Sequence, residues 1–268
     1  MKILFIGDVM GRPGRKAVTK LVPELKSNLG LDFVIANTEN AAGGKGITPK
    51  VVHELFDAGI DVQTGGNHTW ANREGYKVIR DDSHVLRPAN YPLDMEIPGK
   101  GAGIFETFSG YSLAVLNLQG LIFMTPLDCP FQAARRELKM IQSETKIIIV
   151  DFHAEATSEK IAMGWYLQNE VSAIIGTHTH VMTADERVLP GGAAYITDTG
   201  MTGAHSGVIG VDKEIILHKM TTKLPVRHKI ASDDVRLNGV IVDIDPDTGK
   251  ARSIERITRK VKAQPGDL

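Results

Sequence analysis

The chain reads as an α/β protein on two observations. Short apolar runs of β character alternate with longer stretches of helical periodicity over its first part, and after Gly192 strand-like segments dominate. A third feature turns the fold class towards chemistry. Five of the apolar runs end in residues of metal-ligand type: Asp8, the pair Glu39-Asn40, the pair Asn67-His68, His153, and His178 with His180. In α/β folds ligands bind in the crevice outside the carboxyl ends of the strands, so this placement predicts convergence on one pocket.

Taken in order, the apolar runs predict strands over 2–7, 33–37 and 60–64, separated by helical patterns over 14–29, 48–58 and 71–80. Such alternation predicts parallel members in a sheet. Between 85 and 124, Pro88, Pro92, Pro98 and several glycines split the chain into short apolar pieces, the last of which, SLAVLNLQG, is a strand. Helices over 128–143 and 156–170 follow, flanked by the β-type runs KIIIVDFH and VSAIIGTH. The back of the chain predicts strands in AAYITDTG, EIILHKMT and VRLNGVIVDID, with a hairpin-like DPDTGK turn leading into ARSIERITRKV.

With 268 residues and no low-complexity stretch, the chain is expected to form a single domain over 1–268. A chain of this length buries enough surface to need no disulfide, and the lone Cys129 cannot form an internal one. A reducing cytoplasmic location is expected. The apolar start is interrupted by Asp8, too early for a signal peptide, and no segment approaches the roughly 20 apolar residues that span a bilayer. No membrane association is expected. Acids and bases nearly balance, at net charge −1, which argues against a broad surface for duplex nucleic acid and favours a small anionic substrate. Arg12, Arg15 and Lys16 are local basic groups just after the first motif.

His178-Thr179-His180 constrains geometry most. In extended chain, residues i and i+2 face the same side about 6.6 Å apart, so the two imidazoles can serve two ions about 3.5–4 Å apart. Glu39, with two carboxylate oxygens, is the natural bridge. Asp8 would hold one ion, and Asn67 with His153 the other. Asn40 can also face the ions only if the chain leaves strand geometry after Glu39, which Ala41-Ala42-Gly43-Gly44 permits. Imidazole, carboxylate and amide without thiolate suit Mn, Fe, Zn or Co and exclude a cysteine-type structural zinc. Two such ions clamp a phosphoryl group and lower the pKa of a bridging water towards about 7, which is the chemistry of phosphoester hydrolysis. His68, one residue beyond Asn67, points elsewhere and is placed to protonate the leaving alkoxide as general acid.

Asp8, Glu39-Asn40, Gly66-Asn67-His68, His153 and Gly176-Thr177-His178-Thr179-His180, with the blocks GDVMGRPGR, NTENAAGGKG, TGGNHTW, DFHAEATSEK, GTHTHV and TDTGMTG, resemble the calcineurin-like metallophosphoesterase superfamily in its bacterial YmdB-type branch. The resemblance covers residues 7 to 210. It implies an αββα sandwich, two mixed sheets flanked by helices, and a dinuclear phosphodiesterase that converts 2′,3′-cyclic nucleotides to 3′-nucleotides by attack of a bridging hydroxide. It implies two divalent ions, Fe or Mn ahead of Zn or Co, with Asp8, Glu39, Asn40 and His180 on one and Glu39, Asn67, His153 and His178 on the other. A homo-oligomer is also implied. A phosphomonoesterase or phosphoprotein phosphatase with the same metals, and a regulatory nucleotide-binding protein with negligible turnover, are the alternatives.

The chain departs from the wider superfamily at Met10, where a histidine is usual, and at Glu39, where an aspartate is usual. Thr69 stands where an acid often orients the histidine, so no partner for His68 is evident, and Ala204 replaces a proline expected of the branch. His205, in the glycine-rich loop after the last motif, is a candidate substrate contact. His53, His84, His218 and His228 read as structural or exposed. No G-x-x-x-x-G-K-[ST] loop and no G-x-S-x-G elbow is present, and Cys129 reads as a small packed residue.

Overall fold

The computed structural model describes residues 1–262; residues 263–268, the end of the expected domain, lie outside the described residues. In chain order the elements are β1 (Lys2–Ile6), α1 (Gly11–Leu29), β2 (Phe33–Asn37), α2 (Pro49–Asp57), β3 (Val62–Thr64), α3 (Gly75–Asp81), β4 (Ala102–Glu106), β5 (Ser112–Gln119), α4 (Pro130–Ile141), β6 (Ile148–His153), α5 (Thr157–Leu167) and β7 (Ala173–Thr177). The back comprises β8 (Arg187–Val188), β9 (Ala194–Ile196), β10 (Gly203–Ala204), α6 (Lys213–Thr222), β11 (Val235–Ile244) and β12 (Ala251–Lys260).

These strands make two sheets. The first runs β10-β11-β1-β2-β3 with β12 paired to β11, and the second runs β4-β5-β6-β7-β9-β8. β1, β2 and β3 are mutually parallel, as are β5, β6, β7 and β9, whereas β11 lies antiparallel to β1 and β4 to β5. Both sheets are therefore mixed. One apolar cluster joins them face to face, drawing Phe5, Ile35 and Val240 from the first and Val115, Ile149 and Ile175 from the second. The outer face of the first sheet packs Leu4, Ile6 and Val34 under Val18, Val22 and Leu55 of α1 and α2. The second packs Leu116, Val150 and Ile174 under Ala134, Leu138 and Met163 of α4 and α5. Helix, sheet, sheet, helix is the order of layers, as the metallophosphoesterase resemblance implied.

One element differs from expectation in kind. EIILHKMT, expected as a strand, lies in helix α6. Its hydrophobic run suggests β structure, but Asp212 just before it accepts hydrogen bonds from Glu214 N and Ile215 N, and this N-cap decides for helix. β4, hidden among the prolines and glycines of 85–124, was not foreseen, and neither were the two-residue strands β8 and β10. The DPDTGK hairpin is present, closed by Asp245 N donating to Lys250 O and by Gly249 at φ 73°. Among the described residues no helix is long and apolar enough to cross a membrane.

Parallel strands from both sheets point their carboxyl ends to the same end of the sandwich, and there the intersheet core turns polar. Asn37 and Thr64 of the first sheet donate to Asp151 of the second, at 3.0 and 2.5 Å, while Asn117 bridges to Gly65. Close backbone approach sets the neighbouring glycines: a Cβ on Gly176 would overlap the carbonyl oxygen of Thr197. Because that obstacle is backbone, Gly176→Ala is expected to lower stability by about 1–3 kcal/mol or more in urea denaturation. Unchanged stability would show that β7 and the 197–200 loop separate freely.

Candidate metal centre

Asp8 follows β1, Glu39 and Asn40 follow β2, Asn67 and His68 follow β3, His153 ends β6, and His178 and His180 follow β7. The fold brings all eight together. Ligand atoms of Glu39, His153 and His178 lie within 4.8 Å of one another. His153 Nε2 is 3.0 Å from Asn67 Oδ1, 3.1 Å from His178 Nδ1 and 3.3 Å from Glu39 Oε1. On the other side, Asn40 Nδ2 is 3.0 Å from Glu39 Oε1 and 3.3 Å from His180 Nε2, which is 3.9 Å from Asp8 Oδ1. Glu39 is common to both halves. A Cβ on Gly66 would overlap the His153 ring and the Glu39 carboxylate, so this glycine keeps the middle of the site open.

The histidine pair reaches the site by a different path from the one expected. β7 ends at Thr177, and His178 and His180 take positive φ values of 102° and 66°, so the pair is not an extended-chain i, i+2 couple. Positive φ is costly for a side chain with a Cβ. Buried carboxylates offset the cost: His178 N donates to Asp8 Oδ2 at 3.1 Å, and Thr179 donates through N and Oγ1 to Asp198 Oδ2 at 3.0 and 2.8 Å. Asp198 is neutralised by the buried Lys160, 2.7 Å away. Neither Lys160 nor Asp198 was singled out in the sequence, although both sit in the DFHAEATSEK and TDTGMTG blocks.

Each of the three imidazoles turns one nitrogen inward and ties the other outside. His153 Nδ1 is held 2.9 Å from Thr177 Oγ1, which donates to Asp151 Oδ1; His178 Nε2 lies 3.0 Å from Glu155 Oε2; His180 Nδ1 lies 3.1 Å from Ile209 O. Outer partners of this kind fix tautomer and ring direction in metal-binding histidines. Asp151, Thr177 and Glu155 were also missed. Asp151 had a readable signal: it stands two residues before His153, on the same face of a strand that is otherwise apolar.

The partner of His68, absent from the sequence reading, is Asn40, whose Oδ1 lies 2.7 Å from His68 Nδ1, with Glu39 Oε1 at 3.2 Å. Thr69 instead closes the preceding turn through Gly66 N. Asn40 thus presents its amide nitrogen to the centre, and a half-turn of this near-symmetric group would present the oxygen. His205 stands apart from the eight, its Nε2 3.1 Å from Met201 O and 3.4 Å from Asn238 Nδ2. His53, His84, His218 and His228 are exposed, as expected.

Electrostatics test whether cations suit this pocket. Burial pushes the Asp8 carboxyl above its ordinary pKa against the pull of His180 and His153, and Asp8 Oδ1 is buried with no hydrogen-bond partner among the described residues. Burial also opposes ionisation of Glu39, but the charges and hydrogen bonds of His153 and His68 hold it well below the usual range. His153 is itself disfavoured by burial, yet Glu39, Asp8 and Asp151 drive it up to about 9. Burial and the charge on His153 pull His178 down to about 3. A proton on His153 therefore holds the electrostatic place of a cation among buried acids. The donor set fits divalent ions on that ground, on the orphaned Asp8 oxygen, and on the outward ties of the imidazoles.

The fold agrees with that of solved relatives. A family model described as YmdB-like protein matches residues 4–257. A curated protein of Bacillus subtilis named 2′,3′-cyclic-nucleotide 2′-phosphodiesterase is 51% identical over 257 residues, 96% of each chain. A crystal structure of a hypothetical protein from Thermus thermophilus superposes with a TM-score of 0.90 at 40% identity, covering 97% of this chain and 99% of that one. One of a phosphatase from Mycoplasma pneumoniae superposes at 0.89 and 34% identity, covering 97% and 93%.

The Lys160–Asp198 pair yields a stability prediction. Removing one partner strands a buried charge, so Lys160→Ala is expected to cost about 3–5 kcal/mol in chemical denaturation. A paired apolar replacement, Lys160→Met with Asp198→Leu, should recover part of that loss, although the Thr179 hydrogen bonds stay broken. Equal loss in the single and double variants would mean that the charge imbalance is not the cause.

Proposed function

The chain belongs to the YmdB-like family, and on that premise we propose that it is a metal-dependent phosphodiesterase opening 2′,3′-cyclic nucleotides to 3′-nucleotides. The name of the 51% identical relative supports the substrate class. The observation that carries the reading is the geometry of the centre: three imidazoles, each anchored outside, turned onto two buried carboxylates. Asp8, Glu39, Asn40 and His180 would hold one divalent ion, and Glu39, Asn67, His153 and His178 a second. The thiolate-free donors suit Fe, Mn, Zn or Co, and the resemblance to the family puts Fe or Mn ahead. Such ions supply Lewis-acid polarisation of a phosphoryl group and make water a better nucleophile near neutral pH.

The chain's own groups do the rest. His68 Nδ1 lies against the Asn40 amide, and with that amide turned so that its oxygen faces the ion its N–H would donate to Nδ1, which leaves Nε2 to give a proton to the departing ribose 2′-oxygen as the bond from phosphorus to that oxygen breaks. Water contributes the new oxygen on phosphorus, and the product keeps its phosphate on the 3′-oxygen. His68 N donates to Glu39 Oε2 at 2.8 Å, so the proton donor and the shared carboxylate move as one unit. His205, whose Nε2 lies 3.1 Å from Met201 O, would contact substrate from the 203–210 loop.

His68→Ala should keep its metal content while losing about 10²–10⁴ in turnover, measured by metal analysis beside a cyclic-nucleotide assay. Unchanged turnover removes His68 from the reaction. Glu39→Ala, in contrast, should lose both metal and activity; full occupancy in that variant would overturn the shared-carboxylate assignment. The Mycoplasma pneumoniae relative is described as a phosphatase, which favours a monoesterase as the second reading. Side-by-side turnover of a cyclic diester and a 3′-monophosphate decides between them, with preference for the diester expected.

A further inference from the structure

The stretch from Asp212 to Lys229 contains five cations, Lys213, Lys219, Lys223, Arg227 and Lys229, against two acids, Asp212 and Glu214, in a chain of net charge −1. Asp212 is committed to capping α6. All five cations are exposed, and among the described residues none has an ion-pair partner. α6 buries only Ile216, which packs with Met10, Met201 and Val211, so most of the helix surface faces water.

Its base is fastened to the candidate centre. Lys229 O accepts from Asp212 N at 2.8 Å, and the next residue, Ile230, packs against Gly11 and Gly44. Both glycines donate their N–H to the carbonyl of Asn40, at 2.9 and 3.2 Å. Ile209, just before the excursion, accepts from His180 Nδ1 through its carbonyl at 3.1 Å. Two further exposed cations, Arg12 and Lys45, each follow one of those glycines in the chain. The three segments that carry these seven cations are thus anchored at the Asn40 and His180 side of the site.

A 2′,3′-cyclic mononucleotide carries one negative charge, and the centre itself answers that charge. Each nucleotide attached upstream of the cyclic phosphate adds another. We propose that the substrate is the 2′,3′-cyclic phosphate end of an RNA strand, with the 212–229 excursion, Arg12 and Lys45 holding the phosphates upstream of the reacting end. The inference rests on the phosphodiesterase reading above and adds the identity of what carries the cyclic phosphate. The 212–229 stretch has five cations and no Phe, Tyr or Trp to stack on bases, so the contact is chiefly with phosphates and indifferent to sequence. An anionic lipid surface is the competing occupant, given the exposed Leu217, Met220 and Leu224. A helix that lies on lipid segregates its basic and apolar faces. On α6, at about 100° per residue, Lys213 falls between Leu217 and Met220, and Lys219 between Ile215 and Ile216, so the faces are mixed.

The test compares adenosine 2′,3′-cyclic phosphate with an oligoribonucleotide decamer ending in a 2′,3′-cyclic phosphate, using metal-loaded wild type and the variant K219E/K223E/R227E. Wild type is expected to show kcat/KM for the decamer about tenfold or more above that for the mononucleotide at low salt. That ratio should fall about tenfold in the variant. Added salt should erase it in wild type, with a log–log slope near −0.7 for each upstream phosphate engaged. Equal kcat/KM for the two substrates in wild type, or an unchanged ratio in the variant, overturns the proposal. So does binding of the excursion to phosphatidylglycerol vesicles while decamer kinetics ignore the substitutions. Wild type inert towards both substrates would instead sink the phosphodiesterase reading and this one with it.

Discussion

Everything at the carboxyl end of the sandwich answers to one constraint, which is negative charge sunk where water does not reach. Asp8 and Glu39 are buried, and among the described residues the cationic groups that approach them are imidazoles, never lysine or arginine. Leaving a carboxylate so placed is costly unless opposite charge is supplied. Asp198 gives the contrast within the same protein. It is equally buried, takes a lysine at 2.7 Å, and spends its remaining capacity on the backbone of Thr179 and Gly200. A carboxylate with its own lysine is framework; carboxylates that share histidines have charge left to offer a cation. Chemistry here is separated from structure by that difference in partners.

The same constraint accounts for the unusual backbone after β7. Asp8 and Asp198 both need donors, and an extended chain would send the N–H groups of His178 and Thr179 into sheet pairing. Turning to positive φ aims those N–H groups at the two acids and folds both imidazole side chains back over the strand ends. The strain and the buried charge each make the other tolerable. Behind the histidines, Asp151 plays a related part between the sheets: it receives Asn37 and Thr64 from one sheet and Thr177 from the other. Burial pushes its carboxyl up to about 6, against the charge of His153 and the hydrogen bonds of Thr64, Thr177 and Asn37.

Much of this was open to reading in the chain. Strand runs ending in Asp8, Glu39, Asn67, His153 and His178 were legible because period and polarity are local properties, and parallel strands deliver their ends to one place. The stacking of two sheets came from resemblance alone, since a buried strand looks the same in a one-sheet or a two-sheet layout. What local pattern misjudged was decided by partners distant in sequence. The path of the His178–His180 segment depends on Asp8 and Asp198, and the setting of His68 depends on Asn40. α6 was misread for a subtler reason: in EIILHKMT three adjacent apolar residues mimic a strand, while the deciding cap, Asp212, sits one residue before Lys213 and outside the run.

Net charge misleads in a similar way, because it averages over positions that do not act together. The acids of the centre are buried, shielded by imidazoles and by the body of the fold. The cations on the 212–229 excursion, with Arg12 and Lys45, are in water, where charges interact only over about 10 Å at 0.1 M salt. Among the described residues none of these cations pairs with Asp8 or Glu39, whose ion-pair partners are imidazoles. A value of −1 for the whole chain is therefore compatible with a positive mouth over a negative floor. An anionic ligand meets the mouth first, and only a ligand accompanied by cations, or bearing its charge on atoms that cations bridge, is accepted by the floor. That ordering of charge, cationic outside and anionic within, separates what recruits a phosphate chain from what acts on its terminal phosphorus.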